Sequence, residues 1–222
     1  MAAPVQVTEF ADSAHEPAVR GLLHTPASPA GNALVLTHGA GADCRSRLLA
    51  AAADAFTKNG LMVLCCNLPF RQKRPHGPPF PGGAAQDRAG LRRAVEILRE
   101  RVAGKVFLGG HSYGGRQATM LAAEEPELVA GLLLFSYPLH PPRKPAELRT
   151  AHLPRLTTPA LFVHGSRDPF GSLAEMSAAL QLIPAQTKLL PVEAAGHELI
   201  RGTNSEQLMP AMVSAFQSFF GL

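Results

Sequence analysis

Short apolar runs alternate with longer amphipathic ones along most of the chain, the pattern expected when buried strands are joined by surface helices. It predicts strands at 5–9, 19–23, 33–38, 61–66, 105–110, 128–135, 160–164 and 187–192. Helices are predicted at 45–58, 86–102, 114–125, 172–182 and 205–219. The clearest helical stripe lies in 86–102, where Leu91, Ala94, Val95 and Leu98 share one face and arginines and glutamates hold the other. Runs such as Ala33-Leu34-Val35-Leu36-Thr37 are apolar nearly throughout, as strands covered on both faces must be. The implied fold class is α/β, a mostly parallel eight-stranded sheet with helices on both faces. No internal repeat and no break in composition divides the chain, so residues 1–222 read as one domain.

Chemistry enters at one junction in this pattern. Lys105-Val106-Phe107-Leu108 reads as a buried strand, Arg116 to Glu125 reads as a helix stopped by Pro126, and Gly110-His111-Ser112-Tyr113-Gly114 lies between them. A G-x-S-x-G turn from strand to helix holds a serine out at a sheet edge, with the helix N-terminus aimed at developing negative charge. The glycines are needed because the turn strains the backbone and brings other chain too close for side chains. A bare Gly-rich turn with Ser112 as a helix cap is the plain alternative, and the flanking strand and helix argue against it.

Two further signals follow in order. Pro159-Ala160-Leu161-Phe162-Val163 reads as a strand, and Asp168 sits just past its end before Pro169. Thr187 to Val192 reads as the last strand, followed by Glu193-Ala194-Ala195-Gly196-His197-Glu198. Near the front, the strand ending at Thr37 runs into His38-Gly39-Ala40-Gly41-Ala42. Serine, acid and histidine in this order, with HGAGA, GGHSYGG, VHGSRDP and AAGHE, resemble the α/β-hydrolase superfamily over nearly the whole chain. The size and layout are similar to the compact dienelactone-hydrolase-like group, although dienelactone hydrolase itself carries cysteine where this chain has Ser112.

The resemblance implies an α/β-hydrolase fold and a serine hydrolase acting on an acyl ester or thioester. Ser112 would be the nucleophile, His197 the base and Asp168 the acid that orients it, with Glu193 and Glu198 as alternative acids. The backbone N–H groups of Ala40 and Tyr113 would form the oxyanion hole. A catalytically silent scaffold serving as an interaction module is the alternative, as is use of the same residues for acyl transfer, peptidase or cofactor-free peroxidase chemistry. Only residues 136–159 separate the sixth and seventh strands, so no cap domain is expected, only a short helix at 146–153.

The chain carries 21 basic and 17 acidic residues, a net charge of +4. The excess sits in two loops, at Arg71, Lys73 and Arg74 and at Arg143 and Lys144. Both loops leave the carboxyl ends of strands, where ligands bind in α/β sheets. These five side chains are therefore candidates for a basic rim that draws an anionic small-molecule substrate; solvated surface is the plain alternative.

Other classes are not supported. No basic helix or run of stacking aromatics points to nucleic acid. No HExxH, CxxC, G-x-G-x-x-G or Walker pattern points to a metal or cofactor. His38 and His164, each before a glycine at a strand end, are expected to hydrogen-bond loop backbone, and His111 to point away from the nucleophile. The start, Met1 to Glu9, lacks the features of a signal peptide, and no 18-residue apolar run could span a membrane. Three cysteines, two adjacent in a strand, read as reduced thiols, with Cys44 the one that could be exposed and reactive. A cytoplasmic location is the expectation.

Overall fold

The structure is a computed structural model that describes residues 5–202 and 204–222. The reading of the first residues as free of a leader falls in part on 1–4, outside the described residues. One sheet contains β1 (Gln6–Asp12), β2 (Val19–Thr25), β3 (Ala33–Thr37), β4 (Met62–Asn67), β5 (Val106–His111), β6 (Leu132–Phe135), β7 (Ala160–Gly165) and β8 (Thr187–Val192). The helices are α1 (Arg47–Lys58), α2 (Pro69–Lys73), α3 (Ala84–Arg99), α4 (Tyr113–Glu124), α5 (Leu173–Leu180) and α6 (Ser205–Phe220). The strand order is β1-β2-β4-β3-β5-β6-β7-β8. β1 and β2 pair antiparallel, β2 and β4 likewise, and every other neighbour pair is parallel.

The apolar strands form because each feeds two cores at once. Ala33 and Val35 of β3 enter the core under α3, α4 and α5, while Leu34 and Leu36 enter the one under α1 and α6. The adjacent thiols split in the same way, Cys66 into the first core and Cys65 into the second, as successive strand side chains must. All three cysteines are free and buried. Cys44, the one that could have been exposed, is buried with the others: its N–H donates to Asn67 Oδ1 at 2.8 Å, and burial pushes its thiol up to about 11. Aromatic edges lock α6 onto the sheet, with the Phe107 and Phe216 rings 4.9 Å apart at 69°.

All eight predicted strands and five predicted helices are present, with boundary shifts of a few residues. The sixth strand begins at Leu132 rather than 128, because its pairing with β5 and β7 starts only at Leu132 with Leu108 and Ala160. Helix α2 lies inside what reads from the sequence as a proline-rich loop; Pro69 starts it, a position where the missing N–H costs nothing. The helix expected at 146–153 does not form, and only a single 3-10 turn at Leu153–Arg155 is present. The backbone of Arg149 pairs across the loop instead, its N–H donating to Leu139 O and its carbonyl accepting the Tyr137 hydroxyl at 2.7 Å. With residues 136–159 built this way, no cap domain stands between β6 and β7.

The strand order reverses direction between β3 and β5: the chain runs from β3 outward to β4, then returns to the other side of β3 for β5. Loops leaving the carboxyl ends of two such strands diverge and open a crevice between them. The loop after β3 carries His38–Ala42 and the turn after β5 carries Ser112. The fold therefore brings these two segments together by topology alone.

Candidate active site

Ser112 occupies the turn between β5 and α4 with φ 50° and ψ −116°, a strained backbone for a residue with a side chain. Glycines on either side permit it. A Cβ on Gly110 would meet Thr37 O at 2.8 Å, and one on Gly114 would meet His38 O at 2.5 Å. The strain turns the Ser112 hydroxyl toward His197, whose Nε2 lies 2.8 Å away. His197 Nδ1 in turn faces both oxygens of Asp168, at 2.8 and 3.0 Å. A carboxylate at that ring nitrogen favours the Nδ1–H tautomer, leaving Nε2 to accept the serine proton.

Asp168 has no side-chain exposure. Burial by itself would raise its carboxyl, but the His197 ring and the Phe170 N–H, 2.8 Å away, bring it below the ordinary value. It thus stays ionised beneath the imidazole. The alternative acids Glu193 and Glu198 are exposed, and the geometry joins Asp168 to the histidine. On its other side Asp168 lies 3.8 Å from His164 Nε2, which donates to Gly171 O at 2.8 Å.

Two neighbours hold His197 in place, neither of them expected from the sequence. The Phe170 ring packs against the His197 ring with centroids 4.2 Å apart at 32°. His111 does not point away from the site. Its Nε2–H donates to the His197 carbonyl at 2.9 Å, and burial lowers its pKa and keeps the ring neutral. Tyr113 donates from its hydroxyl to Asp87 Oδ2 at 2.7 Å, and Asp87 Oδ1 accepts the Phe70 N–H at 3.0 Å. That carboxyl, raised by burial, ties α3 to the starts of both α2 and α4. A polar residue on the buried stripe of α3 is the signal that could have found Asp87; Phe170 offers none.

The opposite wall is the loop after β3. A Cβ on Gly39 would come within 3.4 Å of Ser112 Cβ, so this backbone lies directly against Ser112. His38 behaves as expected: its Nε2 accepts the Leu68 N–H at 3.1 Å and its Nδ1 donates to Gly39 O at 2.8 Å. Burial lowers its pKa to about 4. Among the described residues the N–H groups of Ala40 and Tyr113 have no hydrogen-bond acceptor, and Tyr113 begins α4, where the first N–H groups have no partner within the helix. Two free donors from different segments thus border the serine.

Arg71 departs from the expected basic rim. It is buried, and its five N–H groups meet five backbone carbonyls: Ala40 at 2.6 Å, Ala42 at 2.8 Å, Arg74 at 3.0 Å, Pro75 at 2.8 Å and Gly77 at 3.1 Å. With every donor used it has none left for a substrate anion. Lys144 is paired with Glu147 at 2.8 Å, and Lys73 reaches Gln86 at 3.0 Å. Arg74 lies over the Phe80 ring, 5.3 Å from its centroid, and Arg143 is exposed in a turn with φ 64°. These five cations do not act as one surface.

Among the described residues no group of three or more His, Cys, Asp and Glu side chains is placed to hold a metal, and no helix is long and apolar enough to cross a membrane. The fold is similar to solved structures across almost all of its length. A dienelactone hydrolase from Anabaena variabilis superposes with TM-score 0.77 at 22% identity, covering 97% of this chain and 98% of that one. Est1E from Butyrivibrio proteoclasticus gives 0.75 at 14% identity, over 96% and 99%. A serine hydrolase without a lid from Xanthomonas campestris gives 0.73 at 16% identity, over 97% and 96%. Residues 30–220, from the turn before β3 to the end of α6, match the family described as alpha/beta hydrolase domain, and the chain belongs to that family.

Proposed function

We propose that this chain is a serine hydrolase that cleaves an acyl ester or thioester through an acyl-enzyme. The observation that carries the reading is the unbroken line from Ser112 Oγ through His197 to Asp168, at 2.8 Å on each side of the imidazole. Membership of the alpha/beta hydrolase family supports it, since that fold is consistent with hydrolase activity. A serine hydroxyl is a weak nucleophile at neutral pH and needs a base within hydrogen-bond reach.

In this mechanism His197 Nε2 takes the Ser112 proton as Oγ bonds to the acyl carbonyl carbon. The carbonyl oxygen becomes an oxyanion and receives the free N–H groups of Ala40 and Tyr113, each such donor lowering the barrier by about 2.7–4 kcal/mol. The imidazolium is stabilised by Asp168 below and by the Phe170 face beside it. It then gives its proton to the departing alkoxide or thiolate as the carbonyl re-forms on Ser112. Water attacks the acyl-enzyme, its proton passing to His197, and the second collapse returns the proton to Ser112 and releases the carboxylic acid.

A fluorophosphonate probe tests the reading. One label per chain, mapped to Ser112 by peptide mass spectrometry and absent from Ser112→Ala, is the expected result. An unlabelled wild-type protein under conditions that label a control esterase would leave a silent scaffold as the better account.

A further inference from the structure

The two free N–H groups that border Ser112 come from segments far apart in sequence, and the short helix α2 contacts both. Leu68, just before it, donates its N–H to His38 Nε2 at 3.1 Å, and the Phe70 ring lies 5.7 Å from the His38 ring. Arg71 donates to Ala40 O at 2.6 Å and to Ala42 O at 2.8 Å, with its guanidinium 4.9 Å from the Phe70 ring centroid. On the other side the Phe70 ring meets the Tyr113 ring edge-on, centroids 5.7 Å apart at 89°. The seat of α2 therefore decides where Ala40 is held, and α2 also packs against the residue that begins α4.

One buried carboxylate joins these parts. Asp87, in the first turn of α3, accepts the Phe70 N–H on Oδ1 at 3.0 Å and the Tyr113 hydroxyl on Oδ2 at 2.7 Å. The Phe70 N–H belongs to the first turn of α2, where its own helix offers it no carbonyl. Helix α3 comes near enough because residue 90 is glycine; a Cβ there would meet Pro69 Cδ and Cγ at 2.7 Å. Each oxygen of Asp87 thus serves a different side of the oxyanion hole.

Taking a carboxyl out of water costs free energy that a leucine packed between the same helices would not. What the carboxyl supplies in return is direction: two hydrogen bonds that fix helix starts within tenths of an ångström, where apolar contact leaves slack. Oxyanion donors need that tolerance, because they act only at hydrogen-bond distance from the developing charge. We infer that Asp87 is a positioning residue for the oxyanion hole, setting Tyr113 directly and Ala40 through Phe70 and Arg71. The inference rests on the serine-hydrolase reading for its effect on turnover, whereas the placement of the two segments does not depend on it. The hydrogen bonds of Asp87 reach neither Ser112 nor His197, so it acts on the donors and leaves the proton path alone.

Kinetics on p-nitrophenyl acetate, with kcat counted per serine titrated by a fluorophosphonate, test it. Asp87→Leu keeps a similar volume but accepts nothing, so kcat should fall about a hundredfold, the scale of one lost oxyanion donor. KM should stay within threefold and the midpoint of the kcat/KM against pH profile should not move. Asp87→Asn should restore most of the rate, since its amide oxygen can accept the Phe70 N–H and its NH₂ can donate to the Tyr113 hydroxyl. Should Asp87→Leu fail to fold, Tyr113→Phe decides, because it cuts one of the two links and should lose at least fivefold in kcat. A second readout needs no turnover: deuterium exchange in peptides covering residues 39–43 should quicken in Asp87→Leu and not in Asp87→Asn. Quickened exchange in a protein that neither cleaves the ester nor takes the label would uphold the positioning and remove the proposed activity. Wild-type kcat per titrated serine in Asp87→Leu, or in Tyr113→Phe where the first does not fold, overturns the inference. Unchanged exchange in a protein without activity overturns it too.

Discussion

The two walls that flank Ser112 are built from opposite materials. On one side, His197, Asp168, His111 and Phe170 hold each other through ring nitrogens, a carboxylate and stacked faces, most of them groups that can gain or lose a proton. On the other, the loop from His38 to Ala42 is held by backbone carbonyls that Arg71 grips and by a neutral histidine that accepts an amide. The difference follows the work proposed for each wall. A wall that passes a proton must contain groups whose charge changes, whereas one that receives a fixed oxyanion is better made from dipoles that do not. Arginine suits the second task because its charge survives any working pH and its donors fan out in a plane.

Disturbing the proton-passing wall should have the largest effect. Asp168→Asn keeps the shape but removes the charge and favours the wrong imidazole tautomer, so kcat should fall by about 10⁴ while the fold is retained. Steady-state kinetics beside a thermal melt would check this. A variant within tenfold of wild type would mean that another carboxylate, Glu193 or Glu198, supports the base.

Much of that wall is legible in the sequence because steric demands write themselves into residue types. Gly110 and Gly114 are glycine because carbonyls of the β3 end stand within 3 Å of where a Cβ would go, so the serine between them declares itself. Asp168 is readable as a polar residue just past a buried strand, and His197 as the histidine after the last one. The opposing wall is less legible. Arg71 satisfies carbonyls, and carbonyls carry no residue identity, so its sequence shows only a cation in a proline-rich stretch. For the same reason the predicted helix at 146–153 fails: those residues favour a helix locally, but Tyr137 draws the Arg149 carbonyl across the loop.

The oxyanion wall should answer to Arg71. Arg71→Met keeps much of the apolar stem and removes all five donors, releasing the Ala40 and Ala42 carbonyls together. If the loop then ceases to present Ala40, kcat should fall by about 10²–10³, the effect of one lost oxyanion donor. KM should change much less, because the carbonyl of a bound ester gains most from that donor only when it becomes an oxyanion. A loss confined to thermal stability, with kcat of the folded enzyme unchanged, would make Arg71 a loop staple with no part in positioning the donor.

The smallest effect concerns where the contrast between the walls should fail. His38 belongs to the unchanging side, yet it can titrate. Its Nε2 must stay unprotonated to accept the Leu68 N–H, and burial lowers its pKa from 6.5 to about 4. A group whose pKa is depressed on folding binds protons better in the unfolded chain, so its contribution is full above about pH 6.5 and is lost as pH falls toward 4. The shift corresponds to about 3 kcal/mol of folding free energy over that window. Denaturant titrations between pH 7 and 4 should therefore show stability falling, with a shallower fall in His38→Gln, which has an amide oxygen to accept the Leu68 N–H but no titratable ring. His152, also near 4, will keep part of the slope in that variant. An identical slope in wild type and His38→Gln would mean that His38 is not what acid attacks, and that the oxyanion wall is indifferent to pH after all.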